Sequence, residues 1–264
     1  MSVPAITAVR SGRTTGGAPL LVLGPSLGTA APLWSEASDL LGEDFALLSW
    51  DLPGHGRSRA ATEPFSVADL ADAVLQLVDD QGAPHGSTRF YYAGVSLGGA
   101  VGLELALRHP ERLKAFSTIC ALARFGEPSG WFQRGELVRA QSTAALIVPS
   151  AGRWFGPDFI ATNHRVSSAL LHALSGADDE SYALCCDALG GYDVRARLGS
   201  IDTPLLALAG EYDQVAPPDA VAAMAARTLA GRSVTVENAG HLAPAEQPAR
   251  VAGLLSEFFT TGGK

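Results

Sequence analysis

Apolar side chains cluster along this chain in short runs, at residues 20–23, 45–50, 89–93, 115–119, 205–209 and 233–237. Runs of that length predict buried strands. Between the second and third runs, Val67, Leu70, Ala71, Val74, Leu77 and Val78 fall on one helical stripe, with Ser66 and Asp69 spaced as a capping box. That spacing predicts a helix over 66–79. Further helices are expected over 97–108, stopping before Pro110, and from Pro248 or Ala249 to Phe259. Strands alternating with helices predict an α/β fold, a mostly parallel sheet with helices on both faces.

The alternation breaks once. From Ile119 to Pro204 the periodicity is helical with no strand pattern: 137–147 and 166–174 read as amphipathic, 181–189 as a third helix, and Gly152, Gly156 and Pro157 as turns. The expected division is an α/β core of residues 1–120 and 204–264 carrying an inserted helical cap, 121–203. A chain of 264 residues has room for one such domain.

The formal charge is −8, so there is no positive excess to neutralise a nucleic-acid backbone. The longest apolar runs are far shorter than a bilayer span, and no apolar leader segment opens the chain. Three cysteines, two of them the adjacent Cys185 and Cys186, cannot build a disulfide framework, and no C-x-x-C or H-E-x-x-H metal spacing occurs. A cytoplasmic protein with no metal or other cofactor is the expectation; monomer and homodimer stay open.

Gly94-Val95-Ser96-Leu97-Gly98 fits G-x-S-x-G and sits where a strand should turn sharply into a helix. That context points to Ser96 as a nucleophile. A serine hydroxyl needs a base, and the base needs an orienting carboxylate. Asp213 follows the strand at 205–209, with Glu211 as the competing carboxylate, and His241 follows the last strand. The other histidines (His55, His85, His109, His164 and His172) lack that placement. An acyl-transfer intermediate also needs two backbone N–H donors: Leu97, after the nucleophile, and Leu27, in the turn after the first run, are the candidates. Pro25 has no hydrogen to give.

Together these residues resemble the α/β-hydrolase superfamily, including the loop Asp51-Leu52-Pro53-Gly54-His55-Gly56-Arg57-Ser58. Closer features resemble the 3-oxoadipate enol-lactonases: Ser26-Leu27-Gly28-Thr29, Ala123-Arg124-Phe125-Gly126 with Trp131, Arg153-Trp154-Phe155, and Tyr182-Ala183-Leu184-Cys185-Cys186. Pro25 departs from the Asn usual there. The resemblance implies Ser96, Asp213 and His241 as catalytic residues, and a small anionic lactone as substrate, opened through an acyl-enzyme in aromatic catabolism. It further implies Ser26, Arg124, Trp131 and Trp154 as substrate contacts, with Arg124 holding the carboxylate against the global negative field. His55 and Arg57 read as a structural turn, and Cys185 and Cys186 as buried helix residues. The alternatives are another capped hydrolase (a carbon–carbon hydrolase, an esterase or a cofactor-free haloperoxidase) or a ligand receptor on the same scaffold.

Overall fold

The computed structural model describes residues 3–13, 17–81 and 88–262. Its sheet has seven strands: β1 (Thr7–Gly12), β2 (Leu20–Gly24), β3 (Ala46–Asp51), β4 (Phe90–Val95), β5 (Leu113–Ile119), β6 (Leu205–Gly210) and β7 (Gly231–Val236), in the spatial order β1-β3-β2-β4-β5-β6-β7. β1 pairs antiparallel with β3, and every other pairing is parallel. Every residue of β2, β3 and β6 is buried, so both faces of the sheet are covered.

The covering helices include α1 (Ser35–Leu41), α2 (Val67–Gln81) and α3 (Leu97–Arg108). Ser66 and Asp69 form the expected capping box: the Ser66 N–H donates to the Asp69 carboxylate at 2.8 Å and the Asp69 N–H to the Ser66 hydroxyl at 3.1 Å. Between β5 and β6 run α4 (Pro128–Gln141), α5 (Ile147–Trp154), α6 (Phe159–Thr162), α7 (His164–Ser175) and α8 (Asp179–Gly190). After β6 come α9 (Pro218–Ala225), α10 (Ala243–Glu246) and α11 (Pro248–Thr260).

Three local expectations change. β1 escaped the reading because it is an edge strand, mostly exposed, whose Thr7, Arg10 and Ser11 make no apolar run. The helix expected over 137–147 is two helices: Pro128 starts α4, and Ser142, at φ 63°, ends it before α5 begins. Gly152 therefore lies inside α5 rather than in a turn.

The sheet's ends, where the chemistry-bearing residues sit, depend on close backbone approach. A side chain on Gly98 would put its Cβ 2.6 Å from the Pro25 carbonyl oxygen, and one on Gly94 would collide with the Gly98 carbonyl. Tyr92 locks the same junction by donating its hydroxyl to the Gly98 carbonyl at 2.7 Å. Gly98→Ala is accordingly expected to lower stability by about 2–4 kcal/mol. Gly253→Ala, on an exposed position of α11 with open space around it, should instead be neutral or stabilising by up to about 1 kcal/mol. Urea unfolding of the two variants checks the contrast.

Candidate active site

Ser96 stands at the turn between β4 and α3 with φ 53° and ψ −112°. Three of the five non-glycine residues with positive φ among those described are Ser96, Cys120 and Asn238, each directly after a strand or in the β7–α10 loop. Strained backbone is thus concentrated where the strand ends converge. The Ser96 N–H donates to the Ile119 carbonyl at 2.8 Å, tying the turn to the end of β5.

His241 and Asp213 meet in the interior. His241 Nδ1 lies 2.9 Å from Asp213 Oδ2, and both residues are 3% exposed. Burial alone would raise the Asp213 carboxyl; the His241 charge and hydrogen bond, with the Val215 and Ala216 N–H groups, more than offset it and hold the carboxyl below its ordinary value. Glu211, the competing carboxylate, instead accepts the Asn238 N–H at 2.9 Å and stays exposed. The chain pairs its histidine with Asp213.

Cys120, which carries no motif, completes this cluster. Its thiol, the His241 ring and the Asp213 carboxylate bring their donor atoms within 4.8 Å of one another. The thiol points its hydrogen at the Gly240 carbonyl at 3.6 Å, and burial pushes its pKa well up. A protonated thiol and a carboxylate already committed to imidazole make a poor metal site. Cys120 links two of the segments: it follows Ile119, whose carbonyl accepts the Ser96 N–H, and its thiol donates to the Gly240 carbonyl next to His241. The Ser96 hydroxyl itself makes no hydrogen bond to His241 among the described residues.

The turn after β2 supplies the second edge. Ser26 and Thr29 close it, with the Ser26 N–H on the Thr29 hydroxyl at 3.0 Å and the Thr29 N–H on the Ser26 carbonyl at 3.0 Å. His55 pins it from behind: Nδ1 bonds the Pro53 carbonyl at 2.8 Å, and Nε2 accepts the Gly28 N–H at 3.3 Å. Burial pushes the His55 imidazole down to about 4, so it remains neutral and able to accept. Among the described residues the N–H groups of Leu27 and Leu97 donate to no protein acceptor, leaving both available to an oxyanion.

The insertion is part of this geometry. The Trp154 carbonyl accepts the His241 N–H at 2.9 Å and the Leu242 N–H at 3.2 Å. The Trp154 ring packs against Gly28, 3.3 Å from where a Cβ would sit. Trp131 lies further out, donating its indole N–H to the Phe125 carbonyl at 2.6 Å. Arg124, expected as the substrate's carboxylate partner, pairs with Glu127 at 2.6 Å and lines a cavity with Arg195, Met224 and Arg227 that contains none of Ser96, Asp213 or His241. His85 lies outside the described residues.

Glu246 was also missed, because a lone glutamate near a histidine has no spacing signature. It is buried and accepts the Gly156 N–H at 2.6 Å and the Gly240 N–H at 2.9 Å, joining the insertion to the loop that carries His241.

The comparisons with known proteins can now be set beside this geometry. The model of the alpha/beta hydrolase family matches residues 20–254. The chain belongs to that family. It is 31% identical over 230 residues to 3-oxoadipate enol-lactonase 2 of Acinetobacter baylyi, covering 87% of this chain and 84% of that one. It is also 31% identical over 248 residues to the provisionally named carbamate hydrolase RutD of Pseudomonas savastanoi pv. phaseolicola, covering 91% and 93%. Among solved structures, the enol-lactonase from Burkholderia xenovorans LB400 superposes with a TM-score of 0.91 at 29% identity, over 97% of this chain and 96% of that one. No helix among the described residues is long and apolar enough to cross a membrane.

Burial raises the Glu246 carboxyl from an ordinary 4.5 to about 7, against the opposing pull of the Gly156 and Gly240 N–H groups. Between those values the folded chain holds a proton that the unfolded chain has released, so Glu246 makes stability fall as pH rises from about 4.5 to 7. The unfolding free energy of wild type relative to Glu246→Gln should decline across that window, by up to one proton's worth of slope, and level off above it. Urea titrations at pH 5, 6, 7 and 8 test this; a difference independent of pH would remove the effect from Glu246.

Proposed function

We propose that this chain is a serine hydrolase that opens 3-oxoadipate enol-lactone to 3-oxoadipate, with Ser96 as nucleophile, His241 as general base and Asp213 as its orienting acid. The single observation that carries the reading is the buried Asp213–His241 hydrogen bond of 2.9 Å in a chain whose Ser96 turn has a strained backbone. Asp213 fixes the imidazole with Nδ1 as donor and stabilises the imidazolium that forms when the base takes a proton.

The chemistry then runs in two halves. Ser96 Oγ attacks the lactone carbonyl carbon while His241 takes its proton, and the Leu27 and Leu97 N–H groups receive the oxyanion. Collapse breaks the ring carbon–oxygen bond. The leaving enolate takes the proton from His241 and tautomerises to a ketone, which makes ring opening effectively irreversible. Water, deprotonated by the same histidine, attacks the acyl-enzyme and releases the dicarboxylate, and Ser96 recovers its hydrogen. No step needs a metal or an organic cofactor. The helical insertion of residues 121–203 serves as the lid, with Trp154 against the oxyanion turn, Ser26 within that turn and Trp131 as an outer wall. A cytoplasmic location suits three free, buried thiols, Cys120, Cys185 and Cys186.

The similarity to the RutD protein supports one second reading, in which the same serine attacks a carbamate carbonyl. The leaving group separates the two: an enolate departs readily, whereas an amine must be protonated first. Purified protein offered both substrates should consume the enol-lactone, followed by loss of its ultraviolet absorbance, at least about 100-fold faster by kcat/KM. Faster carbamate turnover would reverse the assignment. Ser96→Ala should lower kcat by about 10³-fold or more with an unchanged thermal melt; near-normal turnover by that variant would end the serine mechanism.

A further inference from the structure

We infer that Glu246 is a positioning residue for the reaction: its carboxylate fastens residues 154–156 of the insertion to the His241 loop, so that one short segment holds the base and the oxyanion turn in a fixed relation. The inference rests on the reading of His241 as the base that activates Ser96, and it gives the insertion a part in aligning that base.

Glu246 is buried, and its two oxygens are divided between backbone N–H groups from distant parts of the chain. Oε2 accepts the Gly156 N–H at 2.6 Å and Oε1 accepts the Gly240 N–H at 2.9 Å. A buried carboxyl is costly unless hydrogen bonds answer it, so its presence here needs a reason. The reason lies in the donor and acceptor pattern. A carboxylate accepts at both ends, whereas a glutamine of the same shape accepts at one and donates at the other, and would turn its NH2 against one of the two N–H groups. Only the acid holds both segments at once.

Both segments reach the proposed chemistry. Gly240 immediately precedes His241, whose own N–H donates to the Trp154 carbonyl at 2.9 Å, followed by the Leu242 N–H on the same carbonyl at 3.2 Å. Three successive N–H groups, those of residues 240, 241 and 242, are therefore taken up by Glu246 and Trp154, while Asp213 fixes the imidazole at Nδ1. The contact is backbone against backbone: a Cβ on Gly240 would lie 2.7 Å from the Gly156 nitrogen and 2.7 Å from the Phe155 carbonyl carbon. With no side chain between them to yield, a shift of 154–156 passes directly to the residue that carries the imidazole.

The other face of the segment meets the oxyanion turn. The Trp154 ring comes within 3.3 Å of the Cβ position of Gly28, which directly follows Leu27, the proposed donor. Trp154 thus holds the base loop with its carbonyl and presses on the oxyanion turn with its ring. Glu246 secures that arrangement two residues further on, at Gly156. Proton transfer from Ser96 demands close placement of the imidazole, and a misplacement of about 1 Å costs on the order of 100-fold in rate.

The test uses p-nitrophenyl acetate, which reports the serine machinery whatever the natural substrate, and the enol-lactone, with wild type, Glu246→Gln and Glu246→Asp, each with and without His241→Ala. Glu246→Gln should lower kcat by about 10- to 100-fold while KM changes less than about 3-fold. Glu246→Asp keeps both acceptors on a stem one methylene shorter and should also lose kcat, because it no longer spans the two N–H groups. In the His241→Ala background the same Glu246 substitutions should change the residual turnover of p-nitrophenyl acetate by less than about 2-fold, since the group they misplace is gone. Proton NMR should show the His241 Nδ1–H resonance, far downfield in wild type, shifted or broadened in Glu246→Gln. If Glu246→Gln does not fold, as judged by its thermal melt, Glu246→Asp carries the same comparisons. Wild-type kcat in the Glu246 variants overturns the inference, and so does an equal loss with and without His241, which marks a general structural role. A wild type that hydrolyses p-nitrophenyl acetate and leaves the enol-lactone intact defeats the lactonase reading, and the p-nitrophenyl acetate comparisons still decide the role of Glu246.

Discussion

A charged hydrogen bond taken out of water is the constraint on which this site depends. Asp213 and His241 are almost wholly buried, and a carboxylate in such surroundings is expensive unless its charge is answered. The answer is assembled from several directions: the imidazole itself, the Val215 N–H on the other carboxylate oxygen and the Ala216 N–H. The result is an imidazole held at its Nδ1, with little freedom to rotate. In the proposed mechanism, such fixity removes the reorganisation that a mobile histidine would undergo during proton transfer.

That arrangement makes the helical insertion more than a cover. The Trp154 carbonyl and the Glu246 carboxylate fasten the loop that carries His241 to residues 154–156. Gly240 allows the contact, since a Cβ there would come within 2.7 Å of the Gly156 nitrogen. Displacing residues 154–156 would disturb the loop that carries His241.

In a chain of net charge −8, the distribution of arginine decides where positive charge is left unanswered. Most of the arginines in the insertion are neutralised by neighbours in sequence or across helices, and exposed pairs of that kind contribute only about 0–1 kcal/mol each. Their effect is to cancel charge locally. Arg134 and Arg153 stand out because no acid was placed beside them.

Much of this molecule was legible in the order of its residues. The parallel strands are buried on both faces, so consecutive apolar positions mark them; the Ser66–Asp69 cap and the serine turn are local patterns whose geometry is set by neighbours within a few residues. Ser96, Asp213 and His241 are legible as candidates because each lies in the connection after a strand, Ser96 immediately beyond β4, Asp213 three residues beyond β6 and His241 five beyond β7. The edge strand β1 was hidden by its polar exposure, and the break at Ser142 by a helical periodicity that runs on through it. Glu246, Cys120 and the choice of arginine belong to another category. Whether a carboxylate accepts two distant N–H groups, whether a thiol sits beside an imidazole, and whether a guanidinium finds an acid are decided by which surfaces folding brings together. Local order determines backbone shape because turns, caps and strands answer to their nearest neighbours, whereas the partner of a charge is set by distances across space that no single stretch of chain contains.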